Sequence, residues 1–228
     1  RTAFKTDVKL ITAMRLEVLP HESLPAGGPG FAFYEGPKGD FFLSELTVRA
    51  DGRDVKLKAA TETYAKNAIG RGKVSAALTF DGDGGTGWST AKANGKRHVA
   101  VYPFAEPLED VGTIDVEMLF ERHYPAGLGR FRISVADAGG EIKATDIPED
   151  VERLLGRPPG DWGWEEKQTV FRHFLAVDPG LKEPRDEIAK LRARLPAYPV
   201  SLVMRERPTD HPRATHRHHR GEYTQARE

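Results

Sequence analysis

The chain has 228 residues, with 34 Lys or Arg against 34 Asp or Glu, so its formal net charge at neutral pH is zero. This balance gives no whole-chain sign of a nucleic-acid or polyanion binder. Cysteine is absent, which excludes disulfides, thiolate nucleophiles, cysteine-ligated zinc and haem attachment through Cys-x-x-Cys-His. No apolar run approaches the roughly 18 residues of a transmembrane helix, so no membrane span is predicted.

The first two thirds of the sequence have the pattern of short β-strands separated by turns. The 23 glycines and 16 prolines favour many turns, and Met14–Leu19 alternates with period two. Further strand-like runs are Phe41–Val48, a run from Val55, Lys73–Phe80, His98–Pro103, Thr113–Phe120 and Arg130–Val135. Seven or eight such strands predict a mainly β fold, a jelly-roll β-sandwich over residues 1–144.

The composition changes after the sandwich, and residues 145–198 are predicted to form a small α-helical hairpin. A short helix from about Asp146 to Leu155 is followed by an amphipathic run over Trp164–Val177. Asp178-Pro179 has the pattern of a cap and first helical residue for the next helix. Pro184 inside that helix implies either a kink or a later start.

Residues 199–228 are predicted to form a strand, Pro199–Arg205, and a polar tail rich in His and Arg. His216, His218 and His219 have a spacing that can meet a transition metal. The simpler interpretation is a tail that faces solvent or contacts a partner. The chain begins at Arg1 and ends at Glu228 without an evident terminal element, so we expect it to be a piece of a longer protein or a processed form.

A glycine-rich turn carries the candidate metal ligands. Asp81 and Asp83 are closely spaced between glycines and could offer Ca²⁺ two carboxylates, with backbone carbonyls supplying the remaining oxygens. The alternative is a solvated turn in which glycine supplies positive φ and Trp88 lies in the core. The turn is not an EF-hand loop, because the glutamate at its twelfth position is missing.

Aromatic residues interleaved with arginine suggest a sugar site, since sugars bind an aromatic platform for their CH faces and charged side chains for their hydroxyls. The alternative is that about half of these aromatics are core residues. The set consists of Phe31, Phe33, Tyr34, Tyr102, Phe104, His123 and Tyr124, with Arg97, Arg122 and Arg130.

Catalytic motifs are missing from the sequence. It contains no G-x-S-x-G, no H-E-x-x-H and no P-loop. Carboxylates are numerous, but no acid and base pair can be selected from sequence. An enzymatic role, as a hydrolase of glycan or sulfate esters, is therefore the least favoured of three hypotheses.

Two stretches resemble the galactose-binding-like, discoidin-type jelly-roll family, over roughly Lys9–Ala138. That family has a small-residue strand leading into an Ala-x-Asp-Gly-x-x-x-Thr-x-Trp turn, similar to Ala77–Trp88, and a later strand with an acidic turn, similar to Gly129–Asp137. The resemblance implies a sandwich whose apical loops bind sugars, often with a structural Ca²⁺. It implies Asp81, Asp83 and the carbonyl of Thr86 as ligands.

A second resemblance spans nearly the whole chain. It is to the middle region of exported planctomycete proteins of unknown function that combine a cytochrome c domain with planctomycete-specific domains. The matching stretches are Met14–Pro20, Ser23–Pro25, Gly28–Gly30, Gly39–Leu46, Trp88, Gly129–Ser134, Val203–Glu206, Thr215–His216 and Arg220–Tyr223. The resemblance implies export to the periplasm or cell surface, and a further domain after residues 199–228.

The chain departs from that family in two places. Phe31 stands where the family's usual Gly-Pro-Gly-Arg has its arginine, and Lys38–Phe41 stands where the family has Asn-Gly-Asn-Phe, so this loop is expected to have a different ligand or none. The haem-attachment motif is missing, so no haem and no electron transfer are expected in this chain.

The leading functional hypothesis is a non-catalytic carbohydrate-binding or substrate-docking module of a larger exported polysaccharide-processing protein. Its predicted partners are a polysaccharide or oligosaccharide and neighbouring domains, with no nucleic acid. Its predicted ligand-binding residues are Tyr34, Arg122, His123, Tyr124 and Arg130. The alternative is a structural scaffold that orients adjacent catalytic or cytochrome domains, with apolar helix residues needing a partner surface.

Overall fold

The structure is a computed structural model of the chain. It describes residues 1–33, 36–68, 72–122, 126–195, 217–218, 220 and 226–227. The chain divides into two units, residues 1–156 and 157–228. Within the described ranges, no helix has both the length and the apolar content that crossing a membrane requires.

Two antiparallel sheets of four strands each make up most of the first unit. Their strands are β1 (Thr2–Lys5), β2 (Leu10–Val18), β3 (Glu45–Ala50), β4 (Arg53–Val55), β5 (Thr61–Glu62), β6 (His98–Glu109), β7 (Thr113–Leu119) and β8 (Phe131–Ala136). One sheet has the order β1-β7-β3-β4 and the other β5-β6-β2-β8. The expectation of a mainly β fold with additional helices is confirmed.

The core lies between the inner faces of these sheets, and alternation in β2 explains how it forms. Leu16 and Val18 are fully buried in the main apolar cluster, while Glu17 between them faces the other side of the sheet. A register irregularity between Ile11 and Ala13 lets Ile11 and Met14 both reach this core. Trp88 also lies in this core and is fully buried, as predicted.

Two predicted strands differ from the structure. Lys73–Phe80 is not a strand, because Ser75 caps a 3-10 turn over Ala76–Leu78 by accepting the Ala77 N–H at 3.2 Å. The run predicted over Phe41–Val48 enters the sheet only at Glu45, as β3. Its first part meets Trp88 instead, through an isolated bridge between Leu43 and Trp88.

A short helix, α1 (Glu149–Leu155), belongs to the first unit. The sequence predicts that the sandwich ends at residue 144. The structure includes α1 with the sheets, since Val151 and Leu154 are buried. Gly156 follows the last helical residue.

The second unit contains α2 (Trp164–Val177) and α3 (Lys182–Ala193), joined by a 3-10 turn over Pro179–Leu181. Pro184 lies in the first turn of α3, so the later start is the correct alternative, because proline there removes no helical hydrogen bond. The Arg185 guanidinium donates to the carbonyls of Leu175 at 3.1 Å and Asp178 at 2.7 Å.

The tail is described only in part. Two short strands, β9 (Arg217–His218) and β10 (Ala226–Arg227), pair antiparallel. The predicted strand Pro199–Arg205, together with His216 and His219, lies outside the described residues.

Candidate functional site

The loop that carries Phe31 and the segment that leads from Gly127 to Arg130 lie side by side in the first unit. The Phe31 N–H donates to the Gly127 carbonyl at 2.9 Å, and Gly30 bridges Leu128. On its other side, Gly30 donates to the Gly39 carbonyl at 2.9 Å. The loop that carries Phe31 is therefore held by backbone hydrogen bonds from both sides.

Glycine permits this close crossing of the backbone. A Cβ on Gly28 would lie 2.0 Å from the Gly39 carbonyl oxygen, and a Cβ on Gly30 would lie 2.1 Å from the Asp40 carbonyl oxygen. Both distances are far shorter than a van der Waals contact. The Gly28-Pro29-Gly30 motif is thus required by the packing of this loop.

Phe31 and Phe33 project from the loop into solvent. Their side chains are 55% and 69% exposed, whereas Ala32 between them is 1% exposed. Successive residues of an extended chain point to opposite sides, so both rings lie on the outer side of the loop. Two exposed aromatic rings at alternate positions of a loop held by backbone hydrogen bonds are candidates for an aromatic platform.

A shallow depression of about 330 Å³ opens beside this loop, lined by His21, Ser23, Leu24, Gly129 and Arg130. It is tied to the loop through Pro29, whose carbonyl accepts the N–H groups of Gly129 at 2.8 Å and Arg130 at 3.2 Å. The Arg130 side chain is exposed and donates to the Pro20 carbonyl at 3.4 Å. Sequence reasoning selected Arg130 but not His21, because a single histidine in a proline-rich loop carries no recognisable spacing.

The remaining predicted ligand-binding residues have different positions. Arg122 lies with its guanidinium carbon 5.0 Å from the centroid of the Phe42 ring, and Phe42 is buried. Tyr34, His123 and Tyr124 lie outside the described residues. Tyr102 and Phe104 are buried in the core, in agreement with the alternative that about half of the aromatic set consists of core residues.

The predicted metal ligands lie together on one turn. Thr86 Oγ1 donates to the Asp81 carboxylate, with distances of 3.0 and 2.9 Å to its two oxygens. The Asp81 carboxylate also accepts the Asp83 N–H at 3.0 Å, and the Asp83 carboxylate accepts the Gly85 N–H at 2.9 Å. The threonine thus contacts Asp81 through its hydroxyl, while the sequence implied its carbonyl as a metal ligand.

Glu45 adds a third carboxylate near this turn, and it was not found from sequence. It accepts the Gly82 N–H at 3.1 Å. Burial and the negative charge of Asp81 raise the pKa of Glu45. In the described part of the chain, no group of three or more His, Asp or Glu side chains is arranged to hold a metal ion.

A network of charged residues lies on the outer face of the second sheet, centred on Glu17. The Glu17 side chain is fully buried near the C-terminal end of β2, while its partners stay partly exposed. Arg132 of β8 contacts it through two nitrogens, at 2.5 and 3.1 Å, and Arg97 contacts it at 2.6 Å. Sequence alternation places Glu17 opposite the core, which normally means solvent, and α1 together with the arginines covers it instead.

Helix α1 is connected to this network by its own carboxylates. Arg132 donates to Glu149 at 2.9 Å, while Glu152 is paired with Arg15 and lies 3.5 Å from Arg97. Beside the network is a cavity of about 240 Å³, floored by Ala13, Val99 and Val101. The network joins α1 to the face of the sheet opposite the core.

The second unit presents apolar side chains to solvent. In the described helices α2 and α3 no residue is buried. The exposed large side chains are Trp164, Phe171, Phe174, Leu175, Val177, Ile188 and Leu191, with exposures from 40% to 73%. Such a set exceeds the scattered apolar residues of an ordinary surface.

Comparison of the chain with protein-family models, with curated proteins and with solved structures gives no match. The two family resemblances described from the sequence therefore remain predictions.

Proposed function

We propose that the first unit is a non-catalytic carbohydrate-binding or substrate-docking module of a larger exported polysaccharide-processing protein. The observation that carries this proposal is the pair of exposed rings, Phe31 and Phe33, on a loop fixed by backbone hydrogen bonds. A sugar ring can stack its CH face on such a platform without ordering the loop first, which lowers the entropic cost of binding.

Polar groups beside the platform provide the second element of a sugar site. Arg130 and His21 line the neighbouring depression, where they can hydrogen-bond ligand oxygens. The jelly-roll assignment belongs to this proposal, and two antiparallel four-stranded sheets are consistent with it. A shallow site with few contacts implies weak binding by one module, which repeated modules would strengthen through avidity.

Affinity gel electrophoresis against a panel of soluble polysaccharides tests the proposal. We expect at least one polysaccharide to retard the protein. Phe31→Ala and Phe33→Ala are expected to weaken that retardation roughly tenfold each, equivalent to about 1.4 kcal/mol. The matched control is Phe171→Ala in the second unit, because Phe171 is 51% exposed and Phe31 is 55% exposed.

Unchanged melting temperatures would show that these variants are folded. The proposal fails if no polysaccharide retards the protein, or if Phe171→Ala weakens binding as much as Phe31→Ala does.

A structural Ca²⁺ at the Asp81 turn is a second part of the proposal. A divalent cation between Asp81, Asp83 and the Thr86 carbonyl would offset the repulsion between Asp81 and Glu45, which contributes to the raised pKa of Glu45. A ligand that binds only the folded state stabilises it, by about 2.7 kcal/mol at a hundredfold excess over its dissociation constant. We expect millimolar Ca²⁺ to raise the melting temperature and EDTA to lower it.

Asp81→Asn is expected to abolish this response to Ca²⁺. Asp54→Asn, which changes an exposed carboxylate paired with Arg49, should leave it intact. Equal melting temperatures of the wild-type protein in Ca²⁺ and in EDTA would contradict a Ca²⁺ site.

The exposed apolar helices favour a second candidate function, a scaffold that orients a neighbouring domain. A helical unit can do this only if it is itself folded. We expect trypsin sites inside α2 and α3, such as Arg172 and Lys190, to be cleaved as slowly as sites within the sheets under limited digestion. Rapid cleavage inside both helices, while residues 1–156 persist, would contradict the scaffold.

A further inference from the structure

The depression beside Phe31 contains groups that donate hydrogen bonds. Arg130 is exposed on its wall, and a guanidinium has five N–H donors and no acceptor. Gly129, which precedes Arg130, has no side chain that could cover the guanidinium. The Leu24 side chain fills the space beside Gly129, because its Cδ2 lies 2.5 Å from the position that a Cβ on Gly129 would take.

The hydrogen bonds of His21 decide what its ring offers a ligand. The Ser23 backbone N–H donates to Nδ1 at 3.2 Å, and a backbone N–H can only donate. Nδ1 therefore accepts, and in the neutral ring the proton is on Nε2. The Ser23 hydroxyl lies 2.6 Å from the same Nδ1. The nitrogen left for a ligand is Nε2, which donates.

We infer that the sugar bound by this site is acidic, and that its carboxylate or sulfate group is held in the depression between His21 and Arg130 while the sugar ring contacts the aromatic loop. This inference rests on the proposed carbohydrate-binding function. Arginine matches the planar carboxylate with two parallel hydrogen bonds and also binds sulfate oxygens. A neutral sugar hydroxyl gains less from a site made of a cation and a second donor.

The position of Arg130 supports a ligand that spans both features. Its backbone N–H and that of Gly129 bond to Pro29, two residues before Phe31. These hydrogen bonds place the strand of the depression that carries Arg130 next to the segment that leads to Phe31. The chain as a whole has zero net charge, so a preference for acidic polysaccharide would arise from this local site and not from general attraction.

The test compares matched polysaccharide pairs in affinity gels. Polygalacturonate is compared with its methyl ester, and a sulfated galactan with its desulfated form, so that only the anionic group changes. We expect at least one acidic member to be retained tenfold more strongly than its neutral counterpart, and the pair that responds identifies carboxylate or sulfate. Arg130→Gln should abolish the preference, whereas Arg53→Gln, at an exposed arginine of β4, should preserve it.

Three results distinguish a failure of the acidic-sugar inference from a failure of the proposed carbohydrate-binding function. Equal retention by acidic and neutral forms overturns the inference and leaves the carbohydrate-binding module standing. An acidic preference that survives Arg130→Gln also overturns the assigned site. Retention by no polysaccharide at all contradicts the proposed function itself. Glu22→Gln, which removes an exposed carboxylate from the same loop, is expected to strengthen the acidic preference.

Discussion

Glu17→Gln is expected to lower the free energy of unfolding by about 3 kcal/mol, since removing one partner of a buried ion pair typically costs about 3–5 kcal/mol. The Glu17 side chain is fully buried, while Arg97 and Arg132 keep 19% and 39% of their side-chain surface exposed. These arginines can regain water when the carboxylate is lost, which places the expected cost near the lower end of that range. Glutamine retains the shape of the side chain, so the loss reports on charge.

Chemical denaturation followed by tryptophan fluorescence measures this loss, because Trp88 lies in the core of the same unit. The matched control is Glu117→Gln, which breaks a contact of 3.0 Å to Arg49 where the Glu117 side chain is 51% exposed. An exposed pair contributes about 1 kcal/mol or less. Equal effects of Glu17→Gln and Glu117→Gln would show that the network is energetically unimportant.

The same network predicts how stability depends on pH. Burial alone would raise the pKa of Glu17, but hydrogen bonds from Arg132 and Arg97 and the charge of Arg15 outweigh it and hold the pKa below the ordinary value of 4.5. Arg132 likewise lowers the pKa of Glu149. For a carboxyl with a lowered pKa, the stabilisation is complete above the unfolded pKa and is lost as the pH falls through the folded pKa. Stability should therefore fall below about pH 4.5, and less steeply in Glu17→Gln.

Gly30→Ala is expected to cost about 3 kcal/mol, at the upper end of typical overpacking penalties. The added Cβ would lie 2.1 Å from the Asp40 carbonyl oxygen and 2.5 Å from its carbon. These are backbone atoms, which cannot move aside as a flexible side chain does. The loop must separate from residues 39–40 to admit the methyl group, which breaks the hydrogen bond from Gly30 to Gly39.

Thermal melting measures this cost, and a loss of about 3 kcal/mol corresponds to a fall of roughly 6–12 °C for a unit of this size. Gly127→Ala is the matched control, because it lies on the facing segment and its Cβ would have no atom within 4 Å. A melting temperature of Gly30→Ala equal to that of Gly127→Ala would show that the crossing is looser than described. The displaced loop should also weaken polysaccharide retention, since Phe31 follows directly.

Local sequence signals were sufficient where the structure depends on neighbours along the chain. The apolar periodicity of Trp164–Val177 predicted α2 with its observed bounds, because helical spacing and the following Asp-Pro are local properties. Alternation in Met14–Leu19 likewise predicted β2. The prediction of a strand over Lys73–Phe80 was wrong. Its composition is typical of a strand, but Ser75 caps a 3-10 turn within it.

The candidate site residues also divide into those that are close in sequence, which could be predicted together, and those that only the fold brings together. Asp81, Asp83 and Thr86 were expected together because they are close in sequence, and their side chains and backbone groups are joined by hydrogen bonds. Glu45, which is 36 residues away from Asp81, could not be added, because only the path of β3 brings it near the turn. His21 was missed because its relation to Arg130 depends on the folding of two distant loops.

Residue patterns alone predicted a mainly β protein with helices towards its C-terminal end, a core position for Trp88, and a loop at Gly28-Pro29-Gly30. These follow from periodicity and from the conformational limits of proline and glycine. Which face of an alternating strand meets solvent depends on tertiary packing. Arg15 and Glu17 alternate with apolar residues as surface residues do, but Glu17 is fully buried, and Arg15, which is 30% exposed, is paired with Glu152 of α1. Tertiary packing also brings Phe31 beside Gly127, through a backbone hydrogen bond between two loops that are far apart in sequence, and no local pattern encodes such a contact.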